Sequence, residues 1–320
     1  MQTSLELWEN YNYGQYFPLT RKKLRVSPPL VSIIILNWNG WRDTLACVES
    51  CRQLTWPNFR IVVVENASSD GSEGFLRQHL KDVEIIQSGA NLGFAGGCNV
   101  GIRRALEYGA NYVWLLNNDA VAAPEALTAL VETMERNQTA AIAGSKIYYH
   151  DDPRRIWSAG GAWRKGRLAL RQRGANQLDR GQFEETCAVE SVSGCSMLVR
   201  AAAIEKIGLM DEAYFLYWED TEWCARAMKL GYQLLFVPGS QVWHKVSTST
   251  RQSSFTQYYY FTRNGLSFLR GHDPLLLPIF ALYNFLFGLR SLLVGNVRPM
   301  KGLGYGLVDF FRWKMGPLRS

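Results

Sequence analysis

Four polar stretches, each directly after an apolar run, hold residue types that could do chemistry. Leu36-Asn-Trp-Asn39 offers Trp38, a ring able to stack on a planar base. Val64-Glu-Asn-Ala-Ser-Ser-Asp-Gly71 offers Glu65, whose carboxylate can accept the N–H of a uracil or thymine ring. In Asn91-Leu-Gly-Phe-Ala-Gly-Gly97, the glycines at 93, 96 and 97 would let backbone N–H groups approach a diphosphate at a helix start. Asn117-Asn-Asp119 supplies one carboxylate and two amides, the oxygen ligands that Mg²⁺ or Mn²⁺ prefers when it is bound with phosphates. Each stretch also has an ordinary structural explanation. The glycines do not form GxGxxG and suit a tight turn, and the triplet suits the cap of the next helix. Their shared place after successive apolar runs favours a site.

Further along, Glu219, Asp220 and Glu222 crowd the first turn of a helix that Gly231 closes. The helix dipole accounts for Glu222. It accounts less well for Glu219 and Asp220, which sit beside aromatic rings where partial desolvation would make a carboxylate a better proton acceptor. His244, in Val242-Trp-His-Lys245, brings an imidazole within reach of metal or phosphate if its loop folds over the site.

The elements that must position these residues follow from periodicity. Residues 31–36, 60–64, 83–87 and 112–116 read as buried β-branched strands, separated by helical spacing at 43–54, 72–80 and 99–108, with a further helix at 124–136. Such alternation predicts an α/β fold with a doubly wound, mostly parallel sheet and right-handed crossovers. Ligands of such sheets sit beyond the carboxyl ends of the strands, where the four stretches lie.

A content of 47% hydrophobic and 13% aromatic residues excludes a disordered chain. The net charge of +7 is concentrated in the tail: residues 1–250 carry 26 basic and 26 acidic side chains, residues 251–320 nine and two. These charges flank an apolar run, so an anionic membrane surface is the expected partner and nucleic acid is not. The 15 residues from Leu275 to Leu289, interrupted by Pro278 and Asn284, fall short of the roughly 20 needed to cross a bilayer, so an interfacial or re-entrant helix is expected. The six cysteines form no CxxC pair and read as reduced thiols of a cytoplasmic protein. Residues 1–29 mix aromatic and polar side chains before a basic cluster, the wrong order for a signal peptide, and form a leader of unassigned role.

Six motifs in order, at 31–39, 65–72, 91–97, 117–119, 218–220 and 242–244, resemble the family 2 glycosyltransferases of the GT-A fold. The likeness is greatest to the bacterial rhamnosyltransferase and galactofuranosyltransferase branch that builds surface polysaccharide. It covers residues 30–265 as a catalytic domain, with 1–29 as leader and 266–320 as a helical membrane-associating tail. The resemblance implies an inverting, metal-dependent transfer from a nucleotide-diphosphate donor, dTDP-rhamnose or a UDP-sugar, to a glycan or lipid-diphosphate-linked acceptor on the inner face of the cell membrane. It implies a donor site of Leu36, Trp38, Glu65, Asn91, Gly93, Phe94, Asn117 and Asn118, with Asp119 and His244 on Mg²⁺ or Mn²⁺. Asp220 would be the general base, with Glu219 beside it. Two other readings stay open on the residues: nucleotidyl transfer, which uses a similar sheet and metal, and a catalytically silent membrane scaffold. The oligomeric state is not legible.

Overall fold

The computed structural model describes residues 27–164, 169–246 and 255–318, so most of the expected leader lies outside the described residues. The first half alternates as expected: β1 (Val31–Asn37), α1 (Trp41–Arg52), β2 (Phe59–Glu65), α2 (Ser72–His79), β3 (Glu84–Gln87), α3 (Gly93–Glu107) and β4 (Tyr112–Leu116). β1 pairs in parallel with both β2 and β4, and β2 with β3. Both parities of β1 are apolar because both faces are covered. Ile33 and Ile35 meet Cys47 and Val48 of α1 on one side, and Ile34 meets Ala95 and Ile102 of α3 on the other.

The second half comprises β5 (Ala120–Ala122), α4 (Ala126–Arg136), β6 (Ala140–Tyr149), β7 (Ile156–Ser158), β8 (Gly161–Arg164), β9 (Ala169–Gln172), β10 (Cys187–Ala188), β11 (Ser196–Arg200), α5 (Ala201–Ile207), α6 (Glu219–Lys229) and β12 (Gln233–His244). The sheet runs β10-β12-β6-β11-β4-β1-β2-β3. It is mixed, since β11 lies antiparallel between β4 and β6. β5 pairs with the end of β12, opposing His244 to Ala120, and this puts the histidine beside the residue after Asp119.

Three helices follow: α7 (Phe255–His272), α8 (Leu277–Leu293) and α9 (Arg298–Phe311). The division expected at 265/266 falls inside α7, whose buried face continues through Leu266, Phe268 and Leu269. The tail is therefore packed onto the catalytic part through a cluster of Tyr214, Trp218, Leu266, Phe268, Leu269, Phe280 and Phe310.

The apolar stretch of the tail is longer than expected. A 20-residue helical segment, Pro274–Leu293, has a mean hydropathy of 1.6, long and apolar enough to cross a membrane by length and composition. Pro278 does not shorten it because it sits in the first turn of α8, where its missing N–H has no intrahelical partner to lose. Asn284 does not break it either, since its amide donates to Phe280 O at 2.7 Å. α8 buries Phe280, Asn284 and Gly288 and leaves Ile279, Leu282, Phe285, Leu286 and Leu293 exposed.

Candidate active site

The carboxyl ends of β1, β2 and β4 are joined by a chain of side chains. Glu65 is almost fully buried; its Oε1 accepts from Ser68 N (2.9 Å) and Asn37 Nδ2 (3.4 Å), and its Oε2 from Gln87 Nε2 (2.8 Å). Asn37 passes the connection on, accepting from Thr44 Oγ1 at 2.8 Å, and Asn118 Nδ2 donates to that same hydroxyl at 3.2 Å. Asn118 is thus anchored to α1. Trp38 stands 54% exposed beside this network, a ring face open to a stacking partner. Its neighbour Asn39 ties the β1 turn to the β2 turn by accepting from Ser69 N (2.8 Å) while its own N–H donates to Ser68 Oγ (2.9 Å).

The glycine-rich segment is not the loop expected. α3 begins at Gly93, six residues before the helix start expected at 99, so the glycines lie in its opening turns. A Cβ at Gly97 would come 2.4 Å from Leu36 Cδ1, so this glycine lets α3 lie close on β1, and the Leu36 side chain packs there. The N–H of Gly93 donates to Asn91 Oδ1 (3.0 Å) and that of Phe94 to Phe215 O (2.6 Å), so these amides are given to the fold and not to a diphosphate. The Phe94 ring lies against Gly194. Sequence reasoning missed Asn66, buried directly after Glu65. Its amide donates to Asn91 Oδ1 and Gly93 O and accepts from Leu92 N, fixing the turn that starts α3. The available signal was a second polar residue at a strand end that is otherwise apolar.

Asp119 and His244 come together at the end of β4. His244 Nε2 lies 3.0 Å from Asp119 Oδ1 and 3.4 Å from Asn117 Nδ2, and both residues are buried. Burial pulls the imidazole pKa down, but Cys195 and Asp119 outweigh it and push it up to about 10. His244 Nδ1 is buried without a hydrogen-bond partner. The 3.0 Å separation is that of a hydrogen bond between the pair and also that of adjacent ligands of an octahedral cation with bonds of about 2.1 Å, which would take the place of the shared proton. The pair therefore fits a divalent cation as an incomplete set, since no group of three His, Cys, Asp or Glu suited to a metal occurs among the described residues. Oxygens of a bound diphosphate would have to complete the shell.

Asp220 is linked to the Asn117–Asp119 turn through the segment that precedes β11. Its Oδ2 accepts from Gly194 N (2.9 Å), while Asn117 N donates to O of the next residue, Cys195 (3.0 Å). The segment before β11 therefore carries the Asp220 carboxylate and the metal-motif backbone on adjacent residues. Burial raises the pKa of Asp220, opposed by bonds from Gly194, Thr221 N and Thr221 Oγ1. Glu219 is more deeply buried, its Oε2 has no hydrogen-bond partner, and burial with the nearby Asp220 pushes its pKa up to about 8.

The backbone before this pair is strained. Phe215, Tyr217 and Trp218 have φ of 59, 65 and 75°. Phe215, with ψ of −58° and a bond from Leu216 N to Tyr214 O (2.6 Å), forms the rare hand of γ-turn. Residues held in such regions cost roughly 1–3 kcal/mol each and persist where the surroundings over-determine them. Arg263 of α7 is fully buried, donating from Nη1 to Tyr259 Oη and Gly316 O.

A mixed α/β sheet whose strand ends carry an exposed ring, an Asp–His pair and a further carboxylate suits a nucleotide-dependent transferase, and comparison with known proteins makes the class specific. The profile described as "Glycosyl transferase family 2" matches residues 32–208, more than half of the chain. The chain belongs to glycosyltransferase family 2. A dTDP-rhamnosyl transferase of Shigella flexneri is 29% identical over 71% of this chain and 76% of its own. An N-acetylglucosaminyl-diphospho-decaprenol L-rhamnosyltransferase of Mycobacterium tuberculosis is 26% identical over 59% of this chain and 67% of its own. Among solved structures, a mannosyltransferase of Pyrobaculum calidifontis in complex with GDP-mannose and Mn²⁺ superposes with a TM-score of 0.56 over 92% of this chain and 77% of its own. At 14% identity, that likeness shows the GT-A type fold alone. The protein is a glycosyltransferase akin to the rhamnosyltransferases of glycan biosynthesis.

Proposed function

We propose that this glycosyltransferase inverts the anomeric centre in a single displacement, taking its sugar from dTDP-rhamnose or a UDP-sugar. The observation that carries the reading is the 193–196 segment, which holds Asp220 through Gly194 N and the Asn117–Asp119 turn through Cys195 O. Trp38 offers the base a stacking face, and the network around Glu65 sets the depth of the base site. Asp119 and His244 would hold Mg²⁺ or Mn²⁺, which supplies charge neutralisation for the departing diphosphate. Asp220 takes the proton of the acceptor hydroxyl as its oxygen bonds to the anomeric carbon and the bond to the diphosphate breaks. Burial makes its carboxylate a better base for this step. Glu219, with its pKa at about 8, is largely protonated near neutral pH, which limits like-charge repulsion between the neighbours.

The acceptor reading rests on the tail. α8 presents exposed Ile279, Leu282, Phe285 and Leu286, and Lys301, Arg312 and Lys314 line a cavity of about 840 Å³ between α7, α9 and the C-terminal segment. Apolar and basic surface together suit an anionic bilayer, and one relative is named for a diphospho-decaprenol acceptor. These features support a place at the inner membrane face, with a lipid-linked glycan as acceptor.

A thermal-shift screen of dTDP-rhamnose, UDP-galactofuranose and UDP-hexoses with Mg²⁺, Mn²⁺ or EDTA tests the donor. A cation-dependent shift for one of them is expected, and no shift for any would revive the silent scaffold. Asp220→Asn should lower kcat by about 10³-fold or more with donor binding kept. Release of pyrophosphate instead of a nucleoside diphosphate would mean nucleotidyl transfer. Vesicles with anionic lipid should sediment the protein at low salt and lose it as salt rises; equal binding to neutral vesicles would refute the anionic-surface reading, and binding to neither would refute the membrane reading.

A further inference from the structure

We propose that Asn264 is a positioning residue for the Asp220 carboxylate, acting through the strained 214–218 backbone. The inference rests on Asp220 being the base, and adds what aims it. The Asn264 side chain is fully buried, and its Nδ2 donates to the carbonyl oxygens of Tyr214 (2.6 Å), Leu216 (2.8 Å) and Tyr217 (2.9 Å). A side-chain amide carries two N–H donors. Three acceptors gathered around one nitrogen mean that the turn is wrapped on that atom.

The orientation of the amide is itself fixed. Arg263 Nε donates to Asn264 Oδ1 at 2.9 Å, which leaves the nitrogen end to face the turn. On the opposite side, Phe94 N donates to Phe215 O at 2.6 Å, and a Cβ on Gly93 would lie 2.2 Å from that oxygen. The turn is therefore gripped between the opening of α3, at the donor edge, and the middle of α7. Its last residue, Trp218, at φ 75°, immediately precedes Glu219 and Asp220. If the three positive φ angles relax, the start of α6 turns, and the Asp220 carboxylate leaves Gly194 N. Trp218 is also held from below by Phe261, Phe268 and Phe280, so its ring cannot follow such a change freely.

The test compares Asn264→Ala and Asn264→Gln in the full chain, measuring kcat, acceptor KM and the dissociation constant of dTDP or UDP with Mn²⁺. Asn264→Ala should lower kcat by about 10- to 100-fold, the loss expected when a reacting group is displaced by about 1 Å. The nucleoside diphosphate should bind within about threefold of the parent, because the donor edge has its own clamp in Asn66. Asn264→Gln keeps an amide and should recover part of kcat. Two results overturn the proposal: kcat per nucleotide-binding molecule unchanged in both variants, or kcat and nucleotide affinity falling together, which marks general damage. If Asn264→Ala does not fold, Asn264→Ser, whose hydroxyl offers a single donor to the three carbonyls, decides, and a kcat within about twofold of the parent is the overturning result. Asp220→Asn separates the two claims. Normal turnover there removes the base assignment itself, whereas an inactive Asp220→Asn beside normal Asn264 variants removes only the positioning role.

Discussion

The donor edge and the base turn are both loops at one end of the same sheet, yet they are held by different means. At the donor edge the fixing residues belong to the motifs themselves: Asn37, Asn39, Asn66 and Ser68 bond to each other's turns, and the two left-handed residues there, Asn39 at φ 52° and Ala67 at φ 56°, are small. The base turn has three bulky residues at positive φ and depends on Asn264, 50 residues beyond Tyr214, and on Arg263, whose guanidinium is seated on Gly316 O. Both turns hold left-handed residues, but the one that holds three aromatic side chains there draws its support from a distant helix. The C-terminal helices are accordingly part of what shapes the site, besides carrying the exposed apolar side chains of α8.

Three measurements would break or sharpen this contrast. The largest effect is that of Asp220→Asn, about 10³-fold in kcat or roughly 4 kcal/mol of transition-state stabilisation, with the donor edge untouched. A comparable loss of donor affinity would show that the two loops are not separable.

Next in size is the pH dependence of Glu219→Gln. Glu219 has its pKa raised from its usual 4.5 to about 8 by burial and Asp220. An acid held more tightly protonated in the folded state destabilises the fold as pH rises from its unfolded to its folded value. The stability of Glu219→Gln relative to the parent should thus climb between pH 4.5 and 8 and level off above. At about 1.4 kcal/mol per unit the full shift sets a ceiling of roughly 5 kcal/mol, and relaxation around the buried charge keeps the climb below it. Denaturant unfolding at pH 5, 7 and 9 measures it, and a difference that does not change with pH would place Glu219 in a more polar setting.

The smallest is Gly93→Ala, which puts a Cβ 2.2 Å from Phe215 O at a φ of 72°. It should cost about 2–3 kcal/mol of stability through strain and overpacking. Because it pushes on the base turn from the donor side, kcat should fall more than nucleotide affinity. An unfolding midpoint equal to the parent's would mean that the two loops are not in contact.

Much of the site was legible because its residues follow apolar strands directly. Once 31–36, 60–64 and 112–116 are read as neighbouring parallel strands, Trp38, Glu65 and Asp119 must share an edge, since strand direction places all three carboxyl ends together. Side-chain partners were less legible. The glycines at 93, 96 and 97 looked like a phosphate cradle because a glycine cluster before a helix suits either an anion or close packing, and composition does not distinguish the two. The structure uses Gly97 to pack on Leu36 and Gly93 to pass close to Phe215.

By itself, the sequence determined the strand–helix alternation, the order of the motifs and the acidic first turn of α6, because hydrophobic period and residue type are local properties. Tertiary structure alone decided that β11 enters the sheet antiparallel and brings Gly194 and Cys195 between Asp220 and Asn117. It alone decided that β12 delivers His244 to Asp119, and that Asn264 wraps the turn before the base. These contacts join residues far apart in the chain whose pairing depends on which elements pack together. No local pattern of residue types encodes that.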